Sequence, residues 1–370
     1  MIPQRLNRLL TVLQNTSLEA LALAPGPSLA YLTGLRFHLL ERPIVALFTK
    51  EGRAAIVLPE LEALALSGAA LEVFPYPEEP SAWGQAFRRA VQALYLEGRR
   101  IGVEPRWMRL LEFRYLEQAM ADGSRAATFL DAAEVVSGLR LCKDEQEIAA
   151  LQRAVSLAQA ALEATLPMIK PGLSERAIAA LLLTNLLQQG SQPDLPFAPI
   201  VAAGPNAANP HAAPTDRPLQ VGDLLIIDWG ATVNGYVSDL TRTFAIGAVD
   251  EEAQRIYEVV RAANEAAREI LKPGLPCALV DEAARRVIEQ AGYGRYFVHR
   301  TGHGIGLEAH EAPYLRAGND QPLQSGMTFT IEPGIYLPGR HGVRIEDNVV
   351  ITDQGADCLS DWPRTLQVLG

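Results

Sequence analysis

The chain has 370 residues, of which 48% are hydrophobic and 21% are charged, and its formal net charge is −10. This composition is typical of a globular protein and excludes a disordered or collagen-like chain. The acidic balance makes nucleic acid an unfavourable general partner. At roughly 100–200 residues per domain, the length predicts one large or two medium domains.

The spacing of the cysteines and the length of the apolar segments indicate where in the cell the protein is expected. Cys142, Cys277 and Cys358 lie far apart without a Cys-x-x-Cys pair, so neither a zinc knuckle nor a disulfide framework is expected. The N-terminal segment contains Arg and Asn and lacks a signal-peptide core. The most apolar helical run, Ala177–Leu187, is shorter than the roughly 20 residues that span a bilayer. We therefore expect a soluble, cytoplasmic protein with no membrane partner.

Residues 1–138 alternate short apolar strands with amphipathic helices, which predicts an α/β domain. The predicted strands are Ala20–Ala24, Ile44–Thr49, Ala54–Leu58 and Glu72–Tyr76. The predicted helices are Pro3–Gln14, Glu60–Leu66, Ser81–Leu96 and Arg106–Ala121. This region contains no cluster of catalytic residue types, so we expect the chemistry in the rest of the chain.

Residues 139–370 open with a long amphipathic helix, Lys143–Met168, and then contain an internal repeat. The motif Lys-Pro-Gly-Leu at 170–173 recurs at 272–275, an offset of 102 residues. Each copy lies between two predicted helices, and the second helix, 174–189 or 277–291, ends at a glycine. The repeat predicts an α+β domain built as two pseudo-symmetric halves.

The first half ends in a predicted β-hairpin that carries two acids. Asn234-Gly235 between two β-rich runs is the signature of a two-residue type I′ turn, which fixes the register of the strands. This register places Asp228 opposite Thr241 and makes Asp239 the diagonal neighbour of Asp228 on the same face. Diagonal Cβ atoms lie about 7–8 Å apart, which suits two carboxylates that meet through a cation.

The second half supplies a matching pair of acids. Glu332 and Glu346 are each seven residues from Gly339, so a hairpin centred on this glycine would place them face to face. Both acids are embedded among Phe, Ile and Val, where burying a charge is costly unless the charge is paired or bound to a metal. Ion pairs with Arg242 or Arg344 are the alternative to a metal site.

Three histidines, His299, His303 and His310, lie close together in the late part of the chain. Gly302 and Gly304 disfavour a helix there, so the i, i+4 spacing of His299 and His303 does not indicate a helical zinc site. The glycines instead allow backbone or substrate to approach His303 closely. The Gly-x-Gly-x-Gly spacing also differs from that of a dinucleotide-binding fingerprint.

If the four acids and one histidine come together, the charge of this cluster indicates how many ions it would hold. Four carboxylates and one imidazole carry −4, which balances two divalent ions. Oxygen-rich ligation with a single histidine suits Mn²⁺, Co²⁺ or Fe²⁺, and Zn²⁺ is also compatible. Paired ions about 3.5–4 Å apart can hold a bridging water, lower its pKa and polarise a carbonyl. The implied chemistry is hydrolysis.

These motifs resemble the M24 metallopeptidases, the pita-bread family of methionine aminopeptidases, Xaa-Pro aminopeptidases and prolidases. The ligand order of that family is Asp, Asp, His, Glu, Glu, and it falls on Asp228, Asp239, His303, Glu332 and Glu346. The resemblance implies that Asp228 binds one ion and that His303 and Glu332 bind the other. Asp239 and Glu346 would bridge both ions, of which Mn²⁺ is the favoured identity.

The resemblance also implies roles for residues around the ligands. His211 and His310 match the substrate-side histidines of the family, which stabilise a tetrahedral intermediate. Glu332 is the candidate proton shuttle. Arg344 and Thr241 would support the ligands without touching the metal.

Two further features resemble the proline-directed branch of the family. Residues 1–138 are similar to its N-terminal creatinase/prolidase domain, which bacterial-type methionine aminopeptidases normally lack. The segment 333–347, PGIYLPGRHGVRIED, is also similar to this branch. Its members hydrolyse the bond between a first residue and a following proline through a metal-bridging water, and they are commonly homodimers. The implied substrates are dipeptides or short peptides that contain proline.

One position departs from the pattern of dipeptide-specific prolidases. Several of them have an arginine just after the motif His-Glu-x-Pro, where it can bind the C-terminal carboxylate of the substrate. Tyr314 occupies that position here. Either longer peptides are accepted or another cation restricts the length, and Arg36 and Arg42 are the candidates for that cation.

Two alternative functions fit the same fold. One is another hydrolase of C–N bonds, similar to ectoine hydrolases, and the other is a non-catalytic binding protein. A binding protein would be expected to have lost ligands and often to carry a basic surface, whereas all five ligands are intact and the net charge is acidic.

Overall fold

The computed structural model describes residues 2–66, 71–121 and 127–370. The chain divides into two compact units, Met1–Arg140 and Leu141–Gly370, which are described separately. Within the described ranges, no helix combines the length and the apolar character that crossing a membrane requires.

The first unit contains a six-stranded mixed sheet and six helices within its described residues. The strands are β1 (Ala20–Leu23), β2 (Val45–Thr49), β3 (Ala54–Pro59), β4 (Glu72–Tyr76), β5 (Arg100–Val103) and β6 (Thr128–Asp131). The helices are α1 (Pro3–Gln14), α2 (Pro27–Thr33), α3 (Glu60–Ala63), α4 (Pro80–Ala93), α5 (Leu110–Ala121) and α6 (Ala133–Arg140). The strand order is β4-β3-β2-β1-β5-β6. All four predicted strands and all four predicted helices of this unit are present.

The sequence analysis missed β5, which lies between β1 and β6 and runs parallel to both. Gly102 explains the omission, because glycine weakens a strand pattern. A Cβ atom at this position would lie 2.8 Å from the side chain of Leu18 and 2.9 Å from that of Ala132. Close packing therefore requires glycine in the middle of a buried strand. The short elements α2, α6 and β6 were also missed.

The second unit carries four helices and thirteen strands in its described residues. The helices are α7 (Glu145–Thr165), α8 (Glu175–Gln188), α9 (Glu251–Glu269) and α10 (Cys277–Gln290). The first strands are β7 (Ile200–Ala203), β8 (Leu224–Trp229), β9 (Thr232–Val233), β10 (Tyr236–Val237), β11 (Leu240–Ile246) and β12 (Gly302–Gly304). The others are β13 (Glu311–Leu315), β14 (Thr328–Ile331), β15 (Gly334–Leu337), β16 (His341–Arg344), β17 (Asp347–Ile351), β18 (Ala356–Cys358) and β19 (Gln367–Leu369).

The Lys-Pro-Gly-Leu repeat forms the same turn twice. Gly172 has a φ of 88° and donates its N–H to the carbonyl of Leu219, and Gly274 has a φ of 83° and donates to Leu323. Glycine is required at both turns because other residues rarely adopt such angles. Helices α8 and α10 therefore begin in equivalent ways, and the predicted two-half architecture is confirmed.

Each half of the second unit buries its sheet under a pair of helices. In the first half, α7 and α8 pack on β7, β8 and β11, and in the second half α9 and α10 pack on β14 and β17. Helix α7 begins at Glu145 because Asp144 caps it in a capping box with Glu147. Strands β8, β11, β14 and β17 are buried throughout, so any acid on them lies inside the protein.

Candidate metal centre

The first acidic hairpin has the predicted register. Asn234 and Gly235 form the turn with φ values of 50° and 75°, as a type I′ turn requires. Asp228, at the end of β8, lies opposite Thr241 on β11. Asp239 precedes β11 directly, and its main chain is held by the side chain of Asn348, which accepts from its N–H and donates to its carbonyl.

The second acidic hairpin is centred on Gly339, as predicted. Strand β15 pairs with β16, and β14 pairs with β17 in the same register. Glu332 and Glu346 lie in the gap between these two ladders. The N–H of Glu346 donates to the carbonyl of Thr241 on the first hairpin, so this gap joins the two pairs of acids.

His303 lies on β12, which confirms that the glycine-flanked segment is not a helix. A Cβ on Gly302 would lie 1.9 Å from the carbonyl oxygen of Thr330, so only glycine allows the neighbouring strand to approach. The imidazole Nε2 of His303 is 3.1 Å from Oε1 of Glu332 and 3.7 Å from Oδ2 of Asp239. The five predicted ligands therefore come from two hairpins and one short strand.

Within the described residues, three overlapping groups have donor atoms close enough to hold a metal ion. They are Asp228 with Asp239 and Glu346, His303 with Glu332 and Glu346, and Asp239 with His303 and His310. In each group, the donor atoms lie within 4.8 Å of one another. Asp239, Glu346 and His303 each belong to two groups, so the three groups form one continuous cluster.

Two oxygen atoms of the cluster are buried without a hydrogen-bond partner. They are Oδ1 of Asp228 and Oε1 of Glu346. A buried carboxylate oxygen without a partner is costly, and a cation would satisfy both atoms. The oxygen-rich donor set with one imidazole therefore fits divalent ions.

Arginines neutralise this cluster only in part. Arg344 donates to Oδ2 of Asp228 at 2.6 Å, whereas Arg242 pairs with Asp347 at 2.8 Å. Ion pairing with arginine, the alternative to a metal site, therefore explains the burial of only one oxygen of Asp228, Oδ2. Asp239 and Glu346 have no arginine or lysine within ion-pair distance among the described residues.

The crowding of acids shifts their pKa values. Burial, and then the charges of Glu346 and Asp228, raises the pKa of Asp239 well above its usual value. Burial also raises the pKa of Glu346, with the nearby acids adding to the effect. Burial acts in the same direction on Glu332, but the hydrogen bond and charge of His303 outweigh it and lower that pKa to about 2. The cluster holds more negative charge than its surroundings neutralise.

Arg344 contacts the predicted ligand Asp228 directly and the predicted ligand Glu346 through Thr241. Its Nε donates to the hydroxyl of Thr241 at 3.0 Å, and that hydroxyl donates to Oε2 of Glu346 at 2.6 Å. Its Nη1 donates to the hydroxyl of Tyr336 at 2.8 Å. The structure thus brings the two predicted supporting residues, Arg344 and Thr241, into contact with the predicted ligands.

Tyr336 and His299 extend this network, and the sequence analysis did not assign them to the site. The Tyr336 hydroxyl lies 2.9 Å from Nε2 of His299, and Nδ1 of His299 lies 2.8 Å from the carbonyl oxygen of Arg300. Because Arg344 donates to the tyrosine oxygen, the hydroxyl proton is available to His299 Nε2, and Nδ1–H donates to the carbonyl. No spacing rule could have indicated this chain of contacts.

The two predicted substrate-side histidines lie in exposed loops. The ring of His310 is 3.9 Å from that of His303, centroid to centroid. Burial of its ring and the charges of His303 and Arg300 lower the pKa of His310 to about 4, and His211 adds to this effect. Nη1 of Arg344 donates to the carbonyl of Pro210 at 3.3 Å, which places the residue before His211 at the edge of the cluster.

The three residues predicted to contact the substrate, Tyr314, Arg36 and Arg42, lie in different parts of the chain. Tyr314 lies on β13 directly opposite His303. Arg36 is exposed in the first unit, and Arg42 in the same unit pairs with Glu78 at 2.8 Å. A substrate-binding role for either arginine stays a prediction.

Comparison with known proteins identifies the family. Residues 149–353 match the description "Metallopeptidase family M24", and residues 5–142 match "Creatinase/Prolidase N-terminal domain". The chain belongs to metallopeptidase family M24. Its predicted fold and family are thereby confirmed, and the chain is a metallopeptidase.

Individual relatives of this M24 peptidase cover nearly all of its length. A Mycobacterium bovis protein named "Probable dipeptidase PepE" is 36% identical and spans 96% of this chain and 93% of its own. The crystal structure of a prolidase from Thermococcus sibiricus is 35% identical with a TM-score of 0.93, spanning 100% and 99% of the two chains. An Xaa-Pro dipeptidase from Bacillus anthracis is 31% identical with a TM-score of 0.90, spanning 99% of each.

A buried ion pair supports the loop that carries His310 in this M24 peptidase. Lys143 lies 2.8 Å from Oε1 of Glu311, and both side chains are almost fully buried. We expect Glu311→Gln to lower the free energy of unfolding by about 1–3 kcal/mol, because the charge of Lys143 then stays buried beside a neutral amide. Urea denaturation measures this difference.

The matched control is an exposed ion pair in the same unit, Arg261 with Glu258. Glu258→Gln should change stability by no more than about 0.5 kcal/mol, because water screens exposed charges. Equal effects of the two substitutions would contradict a structural role for the Lys143–Glu311 pair.

Proposed function

We propose that this peptidase is a dinuclear metal-dependent exopeptidase that hydrolyses the Xaa-Pro bond at the N-terminus of dipeptides or short peptides. The main support is the presence of two unpartnered, buried carboxylate oxygens inside a cluster of five donor residues. The prolidase and Xaa-Pro dipeptidase among the similar structures support the preference for proline.

The five donor residues are proposed to hold two divalent ions, with Mn²⁺ favoured. Asp228 would bind one ion, His303 and Glu332 the other, and Asp239 and Glu346 both. When bound, two such ions lower the pKa of a water molecule and polarise a carbonyl. The buried β-strands keep the donor residues in place before any ion binds.

Glu332 is the proposed proton carrier of the site. Its side chain is 15% exposed, against 11% for Asp228 and 6% for Asp239. Its Oε1 accepts from the hydroxyl of Thr330 and lies beside His303. It is therefore the most exposed acid of the cluster, and we propose that with the ions in place its carboxylate passes a proton from water to the leaving nitrogen.

His310 is proposed to donate a hydrogen bond to the scissile region. Nη2 of Arg300 lies 3.3 Å from Nδ1 of His310. Since arginine can only donate, Nδ1 accepts and the proton of the neutral ring is on Nε2. This nitrogen is then a donor that can stabilise negative charge on the substrate oxygen. His211 would act in the same way from its exposed loop.

Further parts of the proposal follow from the family resemblance. Residues 139–370 would form the catalytic domain, and residues 1–138 the accessory domain of the prolidase branch. A homodimeric assembly and a cytoplasmic location stay predictions, as does the identity of the metal.

Peptide hydrolysis tests the proposal directly. We expect the protein with Mn²⁺ to cleave Leu-Pro and Ala-Pro, to leave Leu-Ala almost intact, and to lose activity with a chelator. A comparison of Leu-Pro with Leu-Pro-Gly would show whether longer peptides are accepted. Cleavage of none of the Xaa-Pro peptides under these conditions would contradict the proposal and favour another C–N bond hydrolase.

A further inference from the structure

Arg300 lies beside the proposed site, and its guanidinium contacts a histidine and a tyrosine. Its Nη2 lies 3.3 Å from Nδ1 of His310, and its Cζ lies 4.6 Å from the centre of the Tyr314 ring. Among the described residues, no carboxylate lies within ion-pair distance of it. Arg344 and Arg242, in contrast, each pair with a buried acid.

Tyr314 supports the guanidinium of Arg300. A guanidinium over an aromatic ring is attracted by the face of the ring, and the contact holds its planar donor fork in one orientation. Tyr314 is also the cross-strand partner of His303. The cation is therefore held close to the position where several prolidases have an arginine and this chain has tyrosine.

The main chain of Arg300 is fixed on both sides. The ring of His299 contacts its carbonyl oxygen through Nδ1, and Arg285 donates to the carbonyl of His299. Thr301 donates both its N–H and its hydroxyl to Asp281 on α10. An arginine on so well-anchored a segment is pre-organised for binding.

We propose that Arg300 binds the C-terminal carboxylate of a dipeptide substrate and thereby selects for Xaa-Pro dipeptides. This inference rests on the proposed function. In an Xaa-Pro dipeptide the carboxyl carbon is two bonds from the scissile nitrogen, so an anion lies beside the bond that His310 would contact. Arg300 offers the remaining donors of its fork to that anion, and bidentate carboxylate binding is the geometry that guanidinium favours.

Two substrates that differ only in the free carboxylate test this role. We expect Arg300→Gln to raise KM for Leu-Pro by about 10- to 100-fold, as loss of a charged hydrogen bond does. KM for Leu-Pro amide should change less than about twofold, because the amide has no charge to lose. Arg300→Lys should fall between the wild type and Arg300→Gln for Leu-Pro, since lysine keeps the charge without the fork.

The matched control is Arg316→Gln, which removes the same charge from an exposed position just after β13. This variant should leave KM for both substrates unchanged. An equal loss on Leu-Pro and Leu-Pro amide in Arg300→Gln would overturn the inference, because it would show that Arg300 acts only by orienting His310.

Binding of the product separates this inference from the proposed function. Calorimetry should show that L-proline binds the metal-loaded wild type at least about tenfold more tightly than Arg300→Gln, while L-prolinamide does not distinguish the two proteins. If the wild type cleaves no Xaa-Pro peptide, the proposed function fails. If it cleaves them but Arg300→Gln does not discriminate carboxylate from amide, only the inference about Arg300 fails.

Discussion

Asp239→Asn is expected to abolish metal binding and peptidase activity while making the metal-free protein more stable. Asp239 contributes to two of the three groups of possible ligands, and asparagine has the same shape without the charge. If Asp239 bridges the proposed ions, its loss should reduce kcat/KM about a thousandfold or more, since two bound ions would supply several kcal/mol of transition-state stabilisation. Elemental analysis after dialysis and peptide hydrolysis measure the two losses.

The gain in stability follows from the crowding of acids. At neutral pH, the metal-free wild type either keeps Asp239 ionised beside Glu346 and Asp228 or takes up a proton to avoid that repulsion. The repulsion and the proton uptake each make the folded state less stable relative to the unfolded chain. Asparagine carries no charge and therefore avoids both costs. With chelator present, we expect the free energy of unfolding of Asp239→Asn to be about 1–3 kcal/mol higher than that of the wild type.

Asp347→Asn is the matched control, because Asp347 is equally buried but fully paired. It accepts from Arg242, Arg364 and Ser360, and these arginines hold its pKa well below the usual range despite burial. The same substitution there should destabilise the protein with or without metal. Destabilisation of the metal-free protein by Asp239→Asn would contradict the charge argument.

Arg344→Met should have the opposite effect on the metal-free protein. Arg344 is the guanidinium that contacts Asp228, and its removal leaves this buried carboxylate without an arginine or lysine partner among the described side chains. Breaking a buried ion pair costs about 3–5 kcal/mol. Urea denaturation in chelator should show this loss, and added Mn²⁺ should recover part of it.

Activity and a double variant sharpen this test. With metal bound, Arg344→Met should reduce kcat/KM by about 10- to 100-fold, the usual effect of losing a residue that orients a ligand. Combining it with Asp228→Asn should restore part of the stability of the metal-free protein, because the unpaired charge is then removed as well. Arg316→Met, at an exposed position, should change stability by no more than about 0.5 kcal/mol. A similar small effect of Arg344→Met would contradict its place in the site.

Local rules in the sequence were enough to predict both acidic hairpins. Asn234-Gly235 permits one turn and one register, and that register determines which residue faces Asp228. The second hairpin lacks such a strict turn, yet its acids are equally spaced about Gly339, and the strands on either side of Glu332 keep that symmetry. Positional symmetry was sufficient because register errors would expose a buried strand face.

Contacts between distant segments could not be predicted in the same way. The sequence analysis gave Arg344 a supporting role without naming its partner, and the structure shows that its shortest contact is with Asp228 on the other hairpin. The hydrogen bonds between Tyr336 and His299 and between Asn348 and Asp239 also join segments far apart in the chain. Such contacts depend on how the two halves of the second unit pack together, and no local sequence pattern predicts that packing.

Anomalous diffraction from crystals grown with Mn²⁺ is the most direct measurement of the proposed centre. We predict two ions per chain, with Asp239 and Glu346 contacting both and His303 contacting one. Crystals that hold no ion among these side chains, or a single ion bound elsewhere, would contradict a dinuclear centre.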